Sequence, residues 1–285
     1  MMPWQDACGR VRGFAGVSAS KIFAITNCGE TIDNIAGFVL KLVSSTWTKE
    51  SNLPIKGNAL SAIWGSVADN ELYVCGLTHG CAVLRSGRWS WRTQSIALPY
   101  LSGQTLANLH GGYTDIRKYQ SYGKSWMVVK KLNAGSSALW VHNDDIFVAV
   151  ERDDFTLMWR HENVWHEEIL SSGFPVTSIW GDQKGTTYAI AGYHILRLRK
   201  GQTSWQRVQT GLPNRIFLRS IWGTGSDDIV VVGKRGTIIT WDGTRWASTK
   251  APVSVDLTAV WAFNRDVMFI GGKDGAILRR GRDCQ

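Results

Sequence analysis

One stretch, "RSIWGTGSDDIVVVGKRGTIITWDGTRW" (219 to 246), recurs along the chain and decides what the chain can fold into. Its relatives are "TSIWGDQKGTTYAIAGYHILRLRKGQTSW" (177 to 205), "TAVWAFNRDVMFIGGKDGAILRRGRD" (258 to 283) and "SAIWGSVADNELYVCGLTHGCAVLRSGRW" (61 to 89). "SALWVHNDDIFVAVERDDFTLMWRHENVW" (137 to 165) follows the same plan with more drift. Each unit has an apolar run ending in Trp, a polar turn, an alternating run such as Asp228 to Gly233, a Gly turn, a second run such as Thr237 to Trp241, an Asp-Gly turn and a closing Trp. Trp140, Trp180, Trp222 and Trp261 are spaced by about 40 residues, and the runs between them alternate with period two, as strands do, rather than with the helical 3.6.

A period of about 40 residues built from three or four short strands is that of a β-propeller blade. The closing tryptophans give an independent count. Trp47, Trp91 or Trp89, Trp126, Trp165, Trp205 and Trp246 close six blades. The first blade carries Phe14 in the place of the first Trp, and the third, the weakest, carries Leu109 there. The last repeat, from Leu257, ends at "RRGRDCQ" without a closing Trp, and the N-terminus supplies Trp4. The expected fold is therefore all-β: a seven-bladed β-propeller of four-stranded antiparallel blades in one domain, residues 1–285. Its seventh blade joins about 257–285 to residues 1–9, which removes exposed edges.

Twelve of the 15 tryptophans follow from this plan, since five open repeats and seven close them, which leaves one of Trp89 and Trp91 together with Trp159 and Trp241, both at the third-strand position. Indole is a large flat filler for the wedge between twisted sheets, so the recurring tryptophans are expected to pack rather than to bind. The five cysteines are scattered with no CxxC pair, which reads as free thiols in a reducing compartment. With no apolar h-region and no run of eighteen apolar residues, the expectation is a cytoplasmic protein without membrane contact. The net charge of +9 is concentrated late: from Arg197 onward there are fifteen Lys/Arg against seven Asp/Glu. Most of these alternate with apolar residues, as on the solvated face of a strand, which argues against nucleic acid as the partner.

The pattern IWG, D-[IV]-x-x-V-G, G-x-I and DG-x-x-W of residues 221 to 246 resembles the bacterial propeller repeats of myxobacterial surface proteins. It is also similar to the repeats of photosystem II assembly-factor propellers. The Asp-box of sialidase-type propellers is not matched, because Thr240-Trp-Asp-Gly-Thr-Arg-Trp246 is one residue short, and the Trp-Asp pair of WD repeats occurs once, at Trp241-Asp242. The resemblance implies a fold and no reaction.

No catalytic constellation stands out. The six histidines share no spacing, and His161 with His166 in a turn matches no metal geometry. Asp144-Asp145 and Asp227-Asp228 read as turn residues. No P-loop or dinucleotide fingerprint is present, so no cofactor, metal or catalytic residue is expected. What varies between similar blades is the turn between the second and third strands: His79, Arg152 with Asp153 and Asp154, Tyr193 with His194, Lys234 with Arg235, and Lys273 with Asp274. Variation on a repeated scaffold is where specificity resides. A second candidate is the basic and tyrosine-rich segment of the third blade, with Arg117, Lys118, Tyr119 and Tyr122. The expected function is non-enzymatic binding of another protein with an acidic surface, as by an inhibitor or immunity protein that occludes a secreted toxin. A glycan-binding lectin and an assembly factor or scaffold are the alternatives.

Overall fold

The computed structural model describes residues 9–29, 36–54, 59–67, 70–76, 80–93, 97–102, 105–110, 113–120, 125–142, 144–151, 154–211 and 215–280, with only the backbone for 91–114 and 117–126. The described residues form seven antiparallel sheets. Six have four strands and span, in order, 10–49, 60–93, 97–131, 135–169, 176–207 and 218–250, while the seventh, 257–280, has three. Each expected closing Trp from Trp47 to Trp246 lies in, or directly before, the fourth strand of its sheet. Residues 1–8, where the strand completing the seventh sheet was expected, lie outside the described residues. Among the described residues no helix is long and apolar enough to cross a membrane.

The chain divides into two compact units, one of residues 1–99, 232–238 and 250–285, the other of 100–231 and 239–249. In each, the repeated Trp and the Gly after it turn out to be partners across successive sheets. A Cβ on Gly181 would lie 2.9 Å from Trp140 Nε1, and one on Gly223 would lie 2.5 Å from the Trp180 ring. In the first unit a Cβ on Gly16 would lie 2.7 Å from the Trp261 ring. The IWG glycines Gly181 and Gly223 are thus seats for the indole of the preceding sheet, whereas Gly65 lies against the backbone of Gly16, in the sheet where Ala15 replaces the Trp.

The strand register explains which residue occupies the Trp place. Trp64 pairs with Tyr73, Trp140 with Phe147, Trp180 with Tyr188 and Trp261 with Phe269, so these four sit opposite an aromatic, while the strand beside Trp222, Asp228–Gly233, carries none. In the first sheet that relation belongs to Ala15 and Phe23, not to Phe14, which corrects the sequence alignment by one residue. A β-bulge between Val11 and Gly13 recurs in the first strands at Leu60/Ala62, Ser136/Ala138, Val176/Ser178 and Leu257/Ala259, and two residues beyond it the other strands carry Trp where the first carries Ala15. Phe14 instead packs on Trp47 and Phe269, with ring centroids 6.1 and 5.9 Å away. Leu109 is likewise corrected: it lies in the second strand of the third sheet, Thr105–His110.

Within the first unit, strand Arg10–Ser18 packs against the seventh sheet. Thr258 Oγ1 donates to the Val11 carbonyl at 2.6 Å, and the Gly275 N–H donates to the Gly9 carbonyl at 2.9 Å. The Asp-Gly turns also have a local cause. Asp242 accepts the N–H of Thr244 and of Arg245, at 2.8 and 2.9 Å, and the Thr244 hydroxyl at 2.6 Å. Those bonds, led by the hydroxyl, lower its pKa to about 2 and fix the turn before Trp246. The expectation of free thiols is overturned at three positions. Cys75 and Cys81, paired in register on adjacent strands, form a disulfide, and Cys28 is disulfide-bonded as well.

Candidate functional site

In the second unit, the variable turn Gly192-Tyr193 joins strands Thr187–Ala191 and His194–Leu198. Two residues suffice because Gly192 takes φ 62°, the left-handed first position of a tight hairpin turn. Tyr193 is held between two connector residues. Its ring lies 5.2 Å from Phe174 and 6.2 Å from Phe217, both edge-on, and Phe174 and Phe217 are 5.4 Å apart. The Arg215 guanidinium lies 5.5 Å above the Tyr193 ring. The Leu218 N–H donates to the Gly192 carbonyl at 2.8 Å, tying the connector to the turn. Phe217 remains 37% exposed.

His194 lies beneath, its ring 4.2 Å from Tyr193. Burial lowers its pKa first, and the nearby charges of Arg207 and Arg215 lower it further. The imidazole is accordingly neutral near pH 7, the form in which a buried Nδ1 without a hydrogen-bond partner costs least. The combination of an exposed phenyl ring, a half-buried tyrosine and an arginine stacked on it is typical of protein contact surfaces, where such groups carry most of the binding energy.

In the first unit, two more of the variable turns meet at one carboxylate. Lys234 to Thr237 and Lys273 to Ala276 are tight turns with two left-handed residues each, Arg235 (φ 57°) with Gly236 (φ 65°) and Asp274 (φ 55°) with Gly275 (φ 66°). A left-handed conformation costs an ordinary residue about 1–2 kcal/mol. Asp256 offsets this at Arg235 by accepting its N–H at 3.1 Å, and it also takes the Lys273 ammonium at 3.2 Å. Burial raises the Asp256 pKa, but the Arg235 N–H and Lys273 outweigh it, so the net shift is downward. Lys250 Nζ donates to the Arg235 carbonyl at 3.3 Å. The turns thus present a largely cationic surface with Asp256 consumed internally.

The remaining candidates separate. Arg117, Lys118 and Tyr119 lie within strand Tyr113–Gln120, paired on both sides, and not in an irregular segment. Asp154 is exposed just before strand Phe155–His161. His79, Tyr122, Arg152 and Asp153 lie outside the described residues. Sequence reading missed Phe174, Arg215, Phe217 and Asp256, all in connectors between sheets; an aromatic or charged residue in the few positions before an inner strand was the available signal. Among the described residues no group of three or more His, Cys, Asp or Glu side chains is placed to hold a metal ion.

No protein-family model matches this chain. The chain is 26% identical over 130 residues to the "Immune protein Tsi7" of Pseudomonas aeruginosa, a match over 41% of this chain and 42% of that protein. The chain thus spans about two fifths of the length of that relative. The likeness to solved structures covers the full length. "YCF48 bound to D1 peptide" superposes with a TM-score of 0.76 at 13% identity, over 100% of this chain and 97% of that one. Virginiamycin B lyase from Staphylococcus aureus superposes with 0.75 at 10% identity, over 98% and 97%. At such identities the likeness establishes the β-propeller fold and nothing about activity.

Proposed function

We propose that this chain is a non-enzymatic protein-binding propeller, and that it acts as an immunity-type inhibitor by laying its variable turns on a toxic partner. The observation that carries the proposal is the Phe174, Tyr193 and Phe217 cluster with Arg215 over it, a rigid aromatic surface served by two connectors and one turn. The partial relationship to a protein named for immunity supports the inhibitor reading, and a propeller of the same fold bound to a peptide supports a protein partner. The cationic turns at Asp256 favour an acidic partner, whose approach they would steer.

We further propose that the repeat is of the IWG and DG-x-x-W type and that residues 1–9 join about 257–285 to complete the seventh blade. The bond from Gly275 to the Gly9 carbonyl supports this closure, because it brings the start of the described chain to the last hairpin. A glycan-binding lectin remains the alternative; the burial of Trp47, Trp159, Trp180 and Trp205 favours a packing role for those four rings.

The test is capture from the source cell with the tagged protein and with a Tyr193→Ala/Phe217→Ala variant. The expected result is one stoichiometric protein, lost with the variant, whose expression is toxic unless this chain is co-expressed. Capture of no protein sinks the binding reading; a captured protein that is harmless alone sinks the inhibitor reading.

A further inference from the structure

The opposite end of the fourth and fifth sheets, away from Tyr193, holds a cleft of about 510 Å³. That is the size of a small-molecule site, for which about 300–1,000 Å³ is usual. It opens between turns of the two sheets, near Asp145 and His161 on one side and Lys184, Arg199 and Lys200 on the other. Its apolar base includes Phe147 and Trp159, and His166 lies flat on Trp159, centroids 5.3 Å apart and planes 17° apart.

The charges of the two walls are not equivalent. On the first wall the Asp145 carboxylate is occupied by His161, whose Nδ1 is 2.9 and 3.0 Å from its two oxygens, and Glu162 lies 3.8 Å from the same ring at Nε2. Asp145 and Glu162 are thus set against an imidazole, and Asp144 lines the same wall. On the second wall, Lys184, Arg199 and Lys200 have no carboxylate within ion-pair distance among the described residues. Asp182, the nearest acid in sequence, uses one oxygen, Oδ1, for the N–H groups of Lys184 and Thr186, both at 2.9 Å. Three cations without counter-ions beside a flat imidazole on an apolar base call for an anion carried on a flat ring.

We propose that this cleft is a second binding site, for a small organic anion with a carboxylate or phosphate on a planar ring. The anion meets Lys184, Arg199 and Lys200, and the ring lies along His166. The site is independent of the turns at Tyr193, so its failure would leave the protein-binding reading intact.

Histidine ring signals of the whole protein report on it by NMR during titration with benzoate, phenyl phosphate, benzyl alcohol and inorganic phosphate. The expected result is a saturable shift of the His161 and His166 signals with benzoate or phenyl phosphate, whichever anion the site prefers. Affinity should fall about tenfold or more in a Lys184→Ala/Arg199→Ala/Lys200→Ala variant, whose substituted side chains are exposed. Tyr193→Ala should leave the titration unchanged. Equal binding of benzyl alcohol would overturn the anion half of the proposal, and equal binding of inorganic phosphate the ring half. No saturation by any probe, or an unaltered affinity in the triple variant, would overturn it whole.

Discussion

Asp256 holds the backbone N–H of Arg235 at 3.1 Å and so fixes a non-glycine residue in a left-handed turn. The same carboxylate takes Lys273 from the next variable turn, which makes one acid the organiser of two surfaces that the chain varies. Its folded pKa is lowered, so its stabilisation is complete above the unfolded carboxylate value of 3.8 and is lost as pH falls through the lower folded value. Urea midpoints measured from about pH 6 to about pH 3 should therefore drop more steeply for the native protein than for Asp256→Asn. At neutral pH, Asp256→Ala should cost about 1–3 kcal/mol.

His194 acts in a different window and for the opposite reason. Its folded pKa lies below the ordinary histidine value of 6.5, so as pH falls below that value the unfolded chain binds the proton more readily and stability declines. Replacement by Gln should flatten the stability profile between about pH 7 and about pH 5, as read by thermal melting.

Tyr193, Phe217 and Arg215 should behave as contact residues. In the captured complex, Phe217→Ala or Tyr193→Ala is expected to weaken binding by about 2 kcal/mol, a roughly thirtyfold rise in Kd by calorimetry. Phe217→Ala should leave the melting temperature nearly unchanged, because that ring is already partly in solvent. A large drop in stability with unaltered affinity would assign the cluster to the core instead.

Gly223 tests the packing account of the repeat. A methyl group there would meet the Trp180 ring at 2.5 Å and the Asp228 carbonyl oxygen at 2.9 Å. Gly223→Ala should destabilise by about 1–3 kcal/mol in urea unfolding, with loss of the Trp180 near-ultraviolet signal. Trp180→Ala, which empties the same seat, should cost about 3–5 kcal/mol.

The Cys75–Cys81 disulfide closes a short loop, with a sequence separation of 6. On chain-entropy grounds its reduction should cost about 2 kcal/mol, measured as a shift in midpoint with and without reductant. Disulfides persist in oxidising compartments, so protein alkylated directly in the source cell should show neither cysteine modified. Full modification of both would place the protein in a reducing compartment.

The repeat itself was legible because its causes are local. A strand alternates with period two whatever it packs against, an Asp two residues before a Thr caps its own turn, and Gly192 marks a hairpin on its own. Where the residue at a repeat position was itself replaced, the reading slipped: Ala15 holds the Trp place that was given to the neighbouring aromatic Phe14, and Leu109 was placed one strand too early. A small residue at a repeat position leaves no ring to align on, so sequence pattern alone does not mark it.

The sequence by itself determined seven strand-rich repeats, the packing role of most tryptophans and the turns that vary. Only the tertiary structure decided that Trp180 rests on Gly223, that Phe174 and Phe217 enclose Tyr193, and that Asp256 joins Arg235 to Lys273. The physical reason is separation along the chain. Most of these partners lie some 20 to 40 residues apart, beyond any single hairpin, and meet only after successive sheets have stacked. No local preference of Phe217 or Asp256 marks the turn it will reach, whereas the alternation of a strand is written into the residues that form it.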